Sequence, residues 1–147
     1  MSMRSAGGRL SLLSGFVLLL AGCSSTPEEV APTPSGLTCV DDSRHCIGER
    51  QAALQSMLGD RERRWVKEQA TPHAYASGVR MFAYRSKKKD LSCDELANGR
   101  READGAPGSL RGAGGQGLSP AQVSRGVMFA AEVGRELAAE QKRRCKV

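Results

Sequence analysis

The sequence predicts an all-α protein, a small four-helix up-down bundle that follows a disordered tether and is stapled by two disulfides. Three observations predict it. Apolar residues recur at helical spacing in four stretches, two of the helix starts carry the same capping pattern, and Cys39, Cys46, Cys93 and Cys145 form an even set placed at or beside helix ends.

The first stretch is not part of that bundle. Arg4 and Arg9 precede residues 10–22, a run without charge that centres on Phe16, Val17, Leu18, Leu19 and Leu20. The run is shorter than the ~20 apolar residues of a membrane span. A basic start, a short apolar run and small residues at its end form a secretory signal peptide, residues 1–22. The closing Leu20-Ala21-Gly22-Cys23, followed by Ser24-Ser25-Thr26-Pro27, resembles the lipobox of bacterial lipoproteins. The resemblance covers about the first 25 residues. It implies a diacylglycerol thioether on Cys23, cleavage before it and acylation of the new N-terminus, so that the lipid bilayer is the first partner. Two or more acyl chains anchor stably where one binds marginally, at about 0.8 kcal/mol per buried methylene. By the same resemblance, Ser24 after the cysteine implies an outer-membrane position facing the periplasm.

Such an address is oxidising, which makes two disulfides the natural state of the remaining four thiols. Metal and redox chemistry lack their motifs: no Cys-x-x-Cys occurs, and adjacent His45 and Cys46 suit a single ion poorly from a helix. No cofactor is expected. Loss of residues 1–22 removes two arginines and lowers the formal net charge from +6 to +4, a mixed balance that serves solubility. The five aromatics after Cys23 form no stacking pattern, and export separates the chain from nucleic acid, which is excluded as a partner.

Residues 23–38 hold Pro27, Pro32, Pro34, Ser35 and Gly36 and read as the lipidated flexible tether. The helical domain is then residues 39–147. Asp42 or Ser43 caps a first helix expected to run to about Glu68, with Ile47, Leu54, Leu58 and Trp65 on one line. Thr71-Pro72 opens a second, in which Tyr75, Val79 and Phe82 share a face and Arg85, Lys87, Lys88 and Lys89 suit the negative end of the helix dipole.

Ser92 with Glu95 and Ser119 with Gln122 are two capping boxes, each serine taking the amide that its partner residue supplies. The 27-residue offset extends to Gly99 and Gly126 and to Ala103 and Ala130, which fits either a duplicated unit or convergence on a good cap. Between these helices, residues 105–117 contain six glycines and read as a Gly-rich linker. Its Gly112-Ala113-Gly114-Gly115-Gln116-Gly117 matches Gly-x-Gly-x-x-Gly. No strand precedes it and Leu118 stands where a phosphate loop needs lysine, so no nucleotide is expected. The last helix, from Ser119 to about Cys145, repeats a small residue at Gly126, Ala130, Gly134 and Ala138, a face for tight packing within the domain or for a second copy.

An up-down-up-down order would gather all four thiols at one end of the bundle. The pairing favoured is Cys93 with Cys145 and Cys39 with Cys46; Cys46 with Cys145 and Cys39 with Cys93 is the alternative. For function the sequence supports a non-catalytic structural or interaction module of the envelope with a protein partner. An anionic envelope-polymer or lipid-headgroup binder, acting through the basic helix ends, is the alternative. An enzyme is the weakest reading, because His45 and His73 stand in no catalytic motif.

Overall fold

The computed structural model describes residues 35–112 and 115–146. The segment read as a signal peptide, Cys23 and most of the expected tether lie outside the described residues. Those described are all-helical: α1 is Arg44–Gly59, α2 Pro72–Ser77, α3 Val79–Lys87, α4 Cys93–Arg111 and α5 Pro120–Arg144, with 3-10 turns at Ser35–Leu37 and Arg64–Val66. No helix among them is long and apolar enough to cross a membrane.

Helices α4 and α5 form the spine. Both capping boxes are made: Ser92 accepts from the Glu95 amide at 3.2 Å while the Glu95 carboxylate accepts from the Ser92 amide at 2.7 Å, and Ser119 and Gln122 do the same at 3.3 and 2.7 Å. The two helices run antiparallel, with Arg100 bonded to Gln141 near one end and Leu110 against Gly126 near the other. The small-residue stripe of α5 serves this packing. A Cβ on Gly126 would stand 2.9 Å from the Leu110 side chain, and one on Gly134 3.2 Å from Ala103. On α4, Gly99 lies under the Tyr84 ring and Leu137, with 2.7 and 2.9 Å to an added Cβ. Neither ring nor leucine has space to yield, since both are fully buried. Gly99→Ala is therefore expected to lower stability by about 1–3 kcal/mol, measured as a shifted urea midpoint at unchanged slope.

The Gly-rich linker expected at 105–117 is shorter than the sequence suggested. α4 continues through Gly105, Pro107 and Gly108 to Arg111, and the chain leaves the helix only at Gly112. Glycine in a helix costs about 1 kcal/mol. Burial of Ala103, Ala106 and Leu110 against α5 offsets it.

Two other helices are also bounded differently. α1 ends at Gly59 rather than near Glu68, because Asp60 turns outward and its carboxylate accepts from the amides of Glu62 and Arg64. Trp65 therefore sits on a separate 3-10 turn, and its indole N–H reaches back to the Met57 carbonyl at 3.0 Å. The helix expected after Thr71 breaks at Gly78, whose φ of 75° suits glycine, into α2 and α3. The break turns α3, so that Met81 and Tyr84 are buried with Arg80 while Phe82 faces outward.

The folded part also begins earlier than residue 39. Leu37 is buried, and Gly36 presses on the Glu49 carbonyl and Ala53 of α1, where any side chain would collide.

Two disulfides join Cys39 to Cys46 and Cys93 to Cys145. They do not share one end of the bundle, as the up-down-up-down order had implied. The start of α1 lies beside the start of α5, where Gln122 bonds the Val40 carbonyl and Arg125 meets Asp42, whereas Cys145 follows the far end of α5. The reason is the stretch from Asp60 to Thr71, which is largely non-helical and returns the chain without a second long helix. The first and third of the expected helix starts consequently lie at opposite ends.

Candidate functional site

Cys23, the lipidation site read from the sequence, lies outside the described residues. Of the other singled-out groups, the four cysteines are spent in disulfides. His45, exposed in the first turn of α1, and His73, half-buried in α2, form no ion pair among the described residues and lie on different helices. Among the described residues no three histidine, cysteine or acidic side chains gather as a metal site.

The basic helix ends do come together. Arg144 of α5 donates to the carbonyls of Lys88, Lys89 and Leu91, fastening the end of α5 over the end of α3 beside the Cys93–Cys145 bridge. Much of the positive charge there is answered locally. Arg85 pairs with Glu132 and Glu136 at 2.8 Å, Lys88 with Glu136 at 2.5 Å, and Arg143 and Arg144 with Glu140 at 2.6 and 2.8 Å. The Arg143 hydrogen bond holds the Glu140 carboxyl below its usual range, and the Lys88 contact does the same for Glu136. Lys89, Lys142 and Lys146 remain as the cations of this end that form no ion pair among the described residues.

A groove of about 360 Å³ opens where α1, the α2–α3 junction and the first half of α5 meet. Its lining is largely apolar: Ile47 and Leu54 from α1, Val79 and Phe82 from α3, and Phe129 from α5. Phe82 is 46% exposed and Ile47 39%, and the Phe82 and Phe129 rings lie 6.3 Å apart. Gly78 keeps the backbone close to Phe129, with 3.5 Å to the ring from an added Cβ. Arg125 and Asp42 form a 3.3 Å pair at the rim. Arg50 anchors the preceding loop through the Cys39 and Asp41 carbonyls at 3.2 and 2.5 Å. The sequence set Phe82 on one face with Tyr75 and Val79; the break at Gly78 puts Phe82 on this groove while those two are buried.

The second polar feature is buried, and periodicity gave no sign of it. Arg80 is 2% exposed. Its Nε and one Nη donate to the two Glu102 oxygens at 2.6 Å each, and that Nη also donates to the Glu68 carbonyl at 2.6 Å. Tyr84 donates to Glu102 at 2.8 Å, and the guanidinium carbon lies 5.9 Å from the Trp65 and Tyr84 ring centres. Trp65 and Tyr84 themselves meet edge to face at 4.8 Å. Burial, with the Glu102 charge beside it, raises the Tyr84 phenol far above its ordinary range, so it stays a hydrogen-bond donor. A two-point pair of this kind fixes how α3 sits on α4.

No protein family, characterised protein or solved structure matches this chain.

Proposed function

We propose that this chain is a lipid-anchored protein of the bacterial envelope, held on the outer membrane through acylated Cys23 and facing the periplasm, where its helical domain acts as a non-catalytic interaction module. The anchor rests on the Leu20-Ala21-Gly22-Cys23 lipobox and the signal before it. The module rests on the groove, where Ile47 and Phe82 present apolar surface across a gap floored by Val79 and Phe129. Apolar side chains exposed together around a concave floor, with a polar rim, are the makings of a protein contact. The partner that fits is an envelope protein offering a short apolar segment.

A photo-crosslinking residue at position 82, irradiated in intact cells, is expected to trap one discrete protein adduct. The same residue at exposed Arg101 on α4, away from the groove, is expected to trap none. Equal adducts from both positions would contradict the groove as the contact surface.

A second reading has one observation in its favour, the convergence of the α3 and α5 ends under Arg144 with Lys89, Lys142 and Lys146 in no ion pair among the described residues. On this reading the module binds an anionic envelope polymer or lipid headgroups. Its mark is retention on anionic vesicles or peptidoglycan that falls as salt rises, which an apolar contact would not show.

A further inference from the structure

A second cavity, of about 710 Å³, lies between the end of α1, the stretch from Asp60 to Thr71 and the start of α3 and shares no lining residue with the groove. Its size is that of a small-molecule site. Arg80 lines it. Nε and one Nη of that guanidinium are fully engaged, but the other Nη makes no hydrogen bond among the described residues. No fully buried side-chain nitrogen or oxygen among the described residues lacks a partner, so this free Nη still reaches open space. A residue that is 98% buried and held rigidly by Glu102 thus keeps one donor facing the cavity it lines.

The rest of the lining says what that donor would meet. Leu37, Met57 and Ala74 supply an apolar wall, and the Glu68 carboxylate and Gln69 amide stand exposed at the mouth with no partner among the described residues. An anionic ligand fits poorly. The Arg80 charge is already answered by Glu102 and Arg64 by Asp60, so the Glu68 carboxylate is the charge left over around the lining. A neutral carbonyl acceptor fits the free Nη, an apolar patch beside it fits the wall, and hydroxyl donors fit the Glu68 carboxylate. An acetamido group carries the carbonyl and a methyl on one small unit, and a pyranose ring carries the hydroxyls.

We infer that this cavity binds an N-acetylated hexosamine unit, with the acetamido carbonyl on the free Nη of Arg80 and the ring hydroxyls toward Glu68 and Gln69. The site is separate from the groove and does not depend on the proposed anchor or protein partner.

Trp65 is the only tryptophan of the chain and lines this cavity, so its emission reports occupancy directly. The full-length protein is titrated with N,N′-diacetylchitobiose and with cellobiose, which has the same ring hydroxyls but no acetamido group. The chitobiose is expected to change Trp65 emission saturably, and cellobiose to bind at least about tenfold more weakly, the factor of one hydrogen bond from a charged donor. Arg80→Lys keeps the charge and removes the free Nη, and is expected to bring chitobiose down to the cellobiose level. Because that variant strikes the core, Ala70→Leu, which fills the cavity from its wall, is the companion, with chitobiose binding lost at an unchanged melting temperature. No saturable response to chitobiose, equal binding of the two sugars, or wild-type binding by Ala70→Leu would each overturn the site.

Discussion

Replacing Glu102 by alanine is expected to destabilise the domain by about 3–5 kcal/mol, because it leaves the Arg80 guanidinium buried without its counter-charge. Three contacts fail together. Arg80 loses both carboxylate bonds of 2.6 Å and Tyr84 loses the acceptor for its hydroxyl. Domains of this size are stable by only about 5–15 kcal/mol, so the variant should unfold at a markedly lower urea midpoint by helical circular dichroism. Replacing the pair together, Arg80→Met with Glu102→Leu, removes the stranded charge and is expected to recover much of the loss. Equal losses in the single and double variants would show that packing volume, not the buried charge, sets the cost.

Removing the Cys93–Cys145 bridge is expected to lower stability by about 4 kcal/mol, against about 2 kcal/mol for Cys39–Cys46, following the chain length each closes, 52 and 7 residues. For a domain near this size, 4 kcal/mol corresponds to roughly 15–25 °C in melting temperature. The longer bridge also ties down the end of α5, where Arg144 bonds the carbonyls of the α3–α4 turn. Serine at both cysteines of each bridge, compared by thermal melting, checks the order. A larger drop for Cys39–Cys46 would reverse the assignment of which bridge staples the domain.

The parts of the fold legible in the sequence are those written locally. Ser43, Thr71, Ser92 and Ser119 each accept from an amide three residues on, because a cap needs only a short polar side chain and its neighbours. The small residues of α5 announced close packing for the same reason, since their spacing alone lays them on one face. What escaped was written across the chain. Arg80 inside α3 reads as a solvent residue until Glu102, twenty-two positions later, is seen to meet it. Glycine misled in both directions. Gly78 takes a positive φ and breaks a helix that periodicity would continue, whereas Gly105 and Gly108 lie within α4, where buried neighbours outweigh their cost. The groove escaped for a related reason, since Phe82 shares a helical face with Tyr75 and Val79 in the sequence until the turn at Gly78 carries α3 round.

The most direct test of the whole account is metabolic labelling with radioactive palmitate, followed by recovery of the protein from the membrane fraction. The account predicts label on the wild-type chain and none on Cys23→Ser, which should also accumulate at the mass of the uncleaved precursor. An unlabelled wild-type chain, or label that persists in Cys23→Ser, would contradict it.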